Sequence, residues 1–139
     1  MANKRNVTVR MKADLEYESR NPQGNVVQID MYDPEHKHAQ SPMDLLLSAL
    51  GGCASVDAVL MMKKKRREIV DFFVEAEGTR NDGVPAFYTD IALKFVLVSP
   101  DATEEEFAKV VALSVDKYCS VASSLKSTIS YTSEVQRPQ

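Results

Sequence analysis

The sequence predicts an α+β fold, and three patterns predict it. Segments with period-two alternation come in consecutive pairs separated by turn residues, as hairpins do, and do not alternate one by one with helices. One long, almost wholly apolar helical stretch lies between the two pairs. A second, amphipathic stretch precedes the last alternating segment. Antiparallel sheets around a long central helix are therefore expected, and no linker or repeat divides residues 1–139 into more than one domain.

Val7, Val9, Met11, Ala13, Leu15 and Tyr17 alternate with polar neighbours, which predicts one long strand. Pro22 and Gly24 in "RNPQGN" supply a turn, and "VVQIDMY" (Val26 to Tyr32) returns as the second strand. "DPEHKHAQ" (Asp33 to Gln40) reads as a polar loop. The helix start follows, with Ser41 as cap, Pro42 at the first helical position and Asp44 near the positive dipole end. The helix is expected to run to about Arg67, where "KKKRR" complements the dipole as a solvated end. No interleaved aromatics favour a phosphate or nucleic-acid site there. Ile69 to Arg80 and Ala86 to Ser99 form the second strand pair around Asp82-Gly83, a hairpin signal. Thr103 and Glu106 make a capping box, and Phe107, Val110, Val111, Ser114, Val115 and Tyr118 form one helical stripe. A short helix from Cys119 to Ser127 and a strand from Thr128 to Val135 close the chain.

The bulk numbers exclude several classes. Apolar residues make up 44% and charged residues 27%, ordinary for a soluble globular protein. A net charge of −3 implies no general nucleic-acid affinity. The polar N-terminal stretch does not read as a signal peptide, and two cysteines are neither a secreted disulfide framework nor a CxxC pattern. A cytoplasmic location is expected, where thiols stay free or cycle. Leu45 to Met62 is marginally long enough to span a membrane, but Asp57 sits inside it. It reads instead as a buried helix of a soluble protein, with no membrane role.

That helix has no polar side in its first turns, so it needs cover on more than one face. A partner subunit is the simplest cover, and a homodimer is expected. Gly51 and Gly52 each cost about 1 kcal/mol relative to alanine within a helix. They serve either close packing of another helix or backbone, or access of a substrate to Cys53. Cys53 taken alone reads first as a small buried hydrophobe. Cys119 shifts that balance. It lies at a helix junction beside Ser120, where a helix N-terminus stabilises a thiolate, and two such cysteines suggest an attacking and a resolving thiol. A zinc set of Cys53, Cys119, His36 and His38 lacks finger spacing, and nothing in the sequence brings either histidine to Cys53 for a Cys–His hydrolase. No metal or cofactor is expected.

"SPMDLLLSALGGCASVDAVLMMKKKRR" together with "LSVDKYCSVASSLKSTISYTSEV" resembles the OsmC/Ohr superfamily, osmotically inducible protein C and the organic hydroperoxide resistance proteins. The "GGC" and "KYCSVA" forms look closest to the general OsmC-like branch. The resemblance covers nearly the whole chain and implies an OsmC-like domain that forms an intertwined homodimer with active sites at the subunit interface. It implies thiol-dependent reduction of organic hydroperoxides, with Cys53 in the attacking position and Cys119 in the resolving position. The reductant would be a lipoyl-type dithiol. Family members add an arginine from the N-terminal hairpin turn, matched here by Arg20, and a glutamate ten residues before the first cysteine. Met43 stands at that place, and Asp44, the next residue, is the nearby carboxylate. One helical step turns a side chain by about 100°, so Asp44 points elsewhere. This departure supports an alternative: a non-peroxidatic OsmC-like protein that binds a small apolar ligand.

Overall fold

A computed structural model describes residues 3–139 of the chain. The chain divides into two compact units, Met1–Leu46 and Leu47–Gln139. The mixed α+β content agrees with the expected class, with one three-stranded sheet in each unit.

In the first unit, β1 (Thr8–Ala13), β2 (Glu16–Arg20) and β3 (Val26–Asp30) form an antiparallel sheet in that order. The predicted strand Val7–Tyr17 is thus two strands. Ala13 pairs with Glu16 across a two-residue turn at Asp14 and Leu15. Those two residues happen to continue the alternation, so the turn leaves no gap in the period-two pattern. The β2–β3 turn is as expected: the Asn25 amide donates to Asn21 Oδ1 at 2.8 Å, and Gly24 takes φ +90°, a conformation glycine adopts without steric cost.

The helix α1 (Pro42–Lys64) begins in the first unit and continues into the second. It is long and apolar enough to cross a membrane by length and composition, yet only 22% of its apolar window is buried. The buried positions are Leu50, Ala54, Ala58 and Met62, one per turn along a single stripe. Val56 and Leu60, on other faces, are 59% and 54% exposed. The expectation of a helix buried on several sides therefore does not hold within one chain. Arg66 ends the helical segment at φ 62°, and the Arg67 Nε group donates to Glu106.

The second sheet contains β4 (Asp71–Arg80), β5 (Tyr88–Val98) and β6 (Thr128–Gln136). β4 and β5 are antiparallel, but β5 and β6 run parallel. A largely antiparallel arrangement was expected from the hairpin pairs, and this last pairing is its parallel exception. β6 follows a crossover built from α2 (Glu104–Leu113), a π-helical turn (Ser114–Tyr118) and α3 (Ser120–Ser124), and a crossover of that kind returns the chain in the same direction. α2 starts at the predicted capping box, with the Thr103 amide donating to Glu106 Oε2 at 2.7 Å. It packs on the sheet through Phe107, whose ring meets Phe72 edge-on at 6.2 Å, and Phe72 in turn meets Phe95 at 6.3 Å. Pairs of this geometry contribute about 0.5–1.5 kcal/mol each beyond area burial. Ile91, Phe95, Leu97, Phe107 and Val111 are fully buried and form the centre of this core. Gly78 on β4 is required by packing, because a Cβ there would sit 2.4 Å from the Tyr88 ring.

Candidate active site

Two elements far apart in sequence bring the thiols together. Cys53 lies midway along α1, one position before the buried Ala54, and is half-buried. Cys119 follows the π-helical turn and caps α3, where the Ala122 amide donates to its Sγ at 3.4 Å. Cys119 is only 3% exposed, and Cys53 lies near enough to act on its ionisation. Both cysteines are free.

The electrostatics of Cys119 depart from what its place at a helix junction suggests. Burial pushes the thiol up from its ordinary value. The Ala122 and Val121 amides pull the other way and are outweighed, while the neighbouring Cys53 thiol adds to the rise. At neutral pH Cys119 is therefore a protonated, shielded thiol. Cys53 is the more accessible of the two.

The glycine pair beside Cys53 opens onto free space. Apart from the helix's own backbone, no atom lies within 4 Å of where a Cβ would stand on Gly51 or Gly52. Close packing inside one chain does not require either glycine. The remaining uses are approach by a partner or passage of a ligand. Further along the same helix, Asp57, Leu60, Met61, Lys63, Lys64 and Tyr118 line an open groove of about 680 Å³. Its walls adjoin both thiol-bearing segments, since Asp57 is one turn beyond Cys53 and Tyr118 directly precedes Cys119.

Arg20 and Asp44 belong to the first unit, and each has local partners. Arg20 ends β2, where its guanidinium donates to the Gly24 carbonyl at 3.2 Å and to Glu18 Oε2 at 3.1 Å. Asp44 and Ser41 form a reciprocal capping box at the head of α1. Met43, at the position where the superfamily carries glutamate, stands one residue before it in the same first turn.

Sequence reading missed a buried carboxylate. Asp30 is fully buried at the end of β3 and organises the loop taken as merely polar. Lys37 Nζ donates to its carboxylate at 2.7 Å and to its carbonyl at 2.8 Å, and the His38 and Ala39 amides donate to Oδ2 at 2.9 and 2.8 Å. Burial alone would raise its pKa, but Lys37 and the two amides outweigh burial and hold it at about 2. The signal available in the sequence was an acid at a strand end followed by a lysine seven residues on. No group of three or more metal-ligating side chains occurs among the described residues.

The model of the family described as OsmC-like protein matches residues 34–134, which take in α1, both cysteines and all but the end of the second sheet. This chain belongs to the OsmC-like family. Protein YhfA of Escherichia coli (strain K12) is 37% identical over 94 residues, 68% of this chain and 70% of YhfA. A hypothetical protein from Aquifex aeolicus VF5 superposes with a TM-score of 0.87 at 26% identity, covering 99% of this chain and 100% of its own. The organic hydroperoxide resistance protein OhrB of Bacillus subtilis shares the fold at a TM-score of 0.64 and 14% identity, with 96% of this chain and 98% of OhrB covered. The general OsmC-like fold read from the two motifs is thus confirmed.

Proposed function

We propose that this protein is a thiol-dependent peroxidase that reduces organic hydroperoxides through Cys53 and Cys119. The observation that carries the proposal is a half-buried thiol near enough to a shielded one to act on its ionisation, the two coming from elements on either side of β4 and β5. The accessible Cys53 attacks the terminal peroxide oxygen. A sulfur–oxygen bond forms, the O–O bond breaks, and the alcohol departs with the thiol's proton. Cys119, protected from the peroxide by burial, then condenses with the Cys53 sulfenic acid and releases water, which prevents overoxidation. A lipoyl-type dithiol restores both thiols. By the superfamily pattern Arg20 is the cation assigned to stabilise developing charge, and Asp44 is the carboxylate adjoining the glutamate position in sequence.

The protein acts as an intertwined homodimer in the cytoplasm in this reading. Exposed Val56 and Leu60 on α1, with exposed Val9 and Met11 on β1, support a partner subunit as their cover, and Asp57 inside the helix argues against lipid in that role. Membership of the OsmC-like family and the fold shared with a protein named for organic hydroperoxide resistance support the chemistry. A second reading, a non-peroxidatic protein binding a small apolar ligand, is favoured by Met43 at the glutamate position and by the open groove beside Leu60 and Met61. Consumption of cumene hydroperoxide by purified protein with dihydrolipoamide separates the two. Multiple turnovers are expected, and a folded protein that leaves the peroxide untouched would point to the second reading.

A further inference from the structure

We propose that Tyr131 and Asp116 form a latch that positions Cys119 for closure onto Cys53. The proposal rests on the reading of these cysteines as a redox pair. Tyr131 Oη donates to Asp116 Oδ2 at 2.5 Å, joining β6 to the π-helical turn. Asp116 is the middle residue of that five-residue turn, and Cys119 is the first residue beyond it. Tyr131 is fixed from the other side, because β6 pairs with β5 and Tyr131 is in register with the buried Leu93. The latch thus transmits the position of the core sheet to the segment that carries the thiol.

The segment needs such a tie. A π-helical turn widens the helix by one residue and is rarely stable in isolation. Its other anchors are the buried Val115 and the Ser114 hydroxyl, which donates to the Val110 carbonyl at 2.9 Å, and both lie before Asp116. Just beyond Cys119 comes the five-residue α3, with no buried residue of its own, and the next side-chain ties are Lys126 over the Phe87 ring and Ser127 to the Tyr88 carbonyl. Asp116 is the last tied point before the thiol. Closure demands accuracy, since bridged cysteines hold their Cα atoms about 4.4–6.8 Å apart and their sulfurs about 2.05 Å apart. In the closing step the Cys119 sulfur attacks the Cys53 sulfenic sulfur. The S–S bond forms, the S–O bond breaks, and hydroxide leaves as water with the Cys119 proton.

The test compares wild type with Tyr131→Phe, Asp116→Asn and Asp116→Glu. Each protein is oxidised in parallel with one equivalent of cumene hydroperoxide and with diamide, which makes disulfides without a peroxide step. Thiol loss, dimedone-trapped sulfenic acid and melting temperature are followed. With cumene hydroperoxide, Tyr131→Phe and Asp116→Asn should oxidise Cys53 at the wild-type rate but close the disulfide at least tenfold more slowly, with a dimedone adduct accumulating. Diamide closure should slow in the same two variants. Asp116→Glu should recover part of the rate, and melting temperatures should barely move. Closure at the wild-type rate in both hydroxyl- and carboxylate-deleted variants would overturn the latch. If wild type closes with diamide but ignores cumene hydroperoxide, the peroxidase reading fails while the latch is still judged by the diamide arm. A wild type that closes with neither oxidant would overturn the latch as well.

Discussion

Ser41 and Asp44 hold each other across the first turn of α1, the Ser41 amide donating to the Asp44 carboxylate at 3.3 Å and the Asp44 amide to the Ser41 hydroxyl at 3.2 Å. This exchange accounts for an acidic residue at this place without any role in chemistry. Asp44→Asn should therefore lower stability by about 0.3–1 kcal/mol, the usual worth of a first-turn charge, and leave the peroxide rate unchanged. A rate change of tenfold, about 1.4 kcal/mol in the barrier, with stability intact would instead assign Asp44 to catalysis. Met43→Glu should raise the rate if a carboxylate at that position serves Arg20. Steady-state kinetics and thermal melts on the two variants decide both points.

The cysteines should fail in different ways. Cys53→Ser should abolish peroxide consumption, because the accessible nucleophile is gone. Cys119→Ser should allow a single turnover and then stall, with sulfinic acid building up at Cys53 as peroxide is added. Intact-mass spectrometry after stepwise peroxide addition reads the difference, and total inactivity of both variants with no oxidised Cys53 would contradict the assigned order.

Gly52 separates stability from function. Nothing crowds its missing Cβ, so Gly52→Ala should stabilise the isolated helix backbone by about 1 kcal/mol. If the gap admits a substrate or a partner, the same variant should lose peroxidase activity or dimerise less well. A variant that is more stable, fully active and of unchanged assembly would show that the gap serves neither.

Acid should loosen the first unit through Asp30. Its carboxylate titrates at about 2 in the folded protein, below the ordinary 3.8. A depressed pKa gives stability that is whole above the unfolded value and lost as pH falls through the folded one. The decline should therefore begin near pH 4 and continue to about pH 2. Denaturant midpoints measured across that window should slope for wild type and flatten for Asp30→Asn, which starts from a lower stability at pH 7. Equal slopes would place the acid sensitivity elsewhere.

Assembly is checked by mass. Sedimentation at micromolar concentration should give about twice the 15.5 kDa of one chain. Leu60→Glu, which puts a charge on an exposed apolar face of α1, should weaken the dimer. A folded wild-type monomer would remove the partner subunit from the explanation of that face.

Much of the order of elements was legible because α1 and the β4–β5 pair carry strong, long periodicities. The Asp14–Leu15 turn was hidden because its residues stay in phase with the strands they separate. The parallel β5–β6 pairing was hidden because direction is a property of the connection, and the β6 pattern looks the same either way. Cys53 and Cys119 were legible as candidates from their small-residue and helix-junction neighbourhoods. That burial raises the Cys119 pKa was not, because the sequence displayed the helix junction and not the depth. The Asp30 knot left only the trace of an acid at a strand end with a lysine seven residues on, and the Tyr131–Asp116 bond depends on tertiary placement, which no local spacing encodes.

The distance along the chain between the two thiols has a thermal consequence. A Cys53–Cys119 bridge would close a loop of roughly 65 residues, and removing that much freedom from the unfolded chain is worth about 4 kcal/mol in the chain-entropy picture. With only two cysteines, the unfolded chain can form no competing intramolecular pairing. Oxidised protein would thus melt higher than reduced protein, and a melting curve taken during turnover would resolve two populations whose ratio reports how far the reductant lags behind the peroxide.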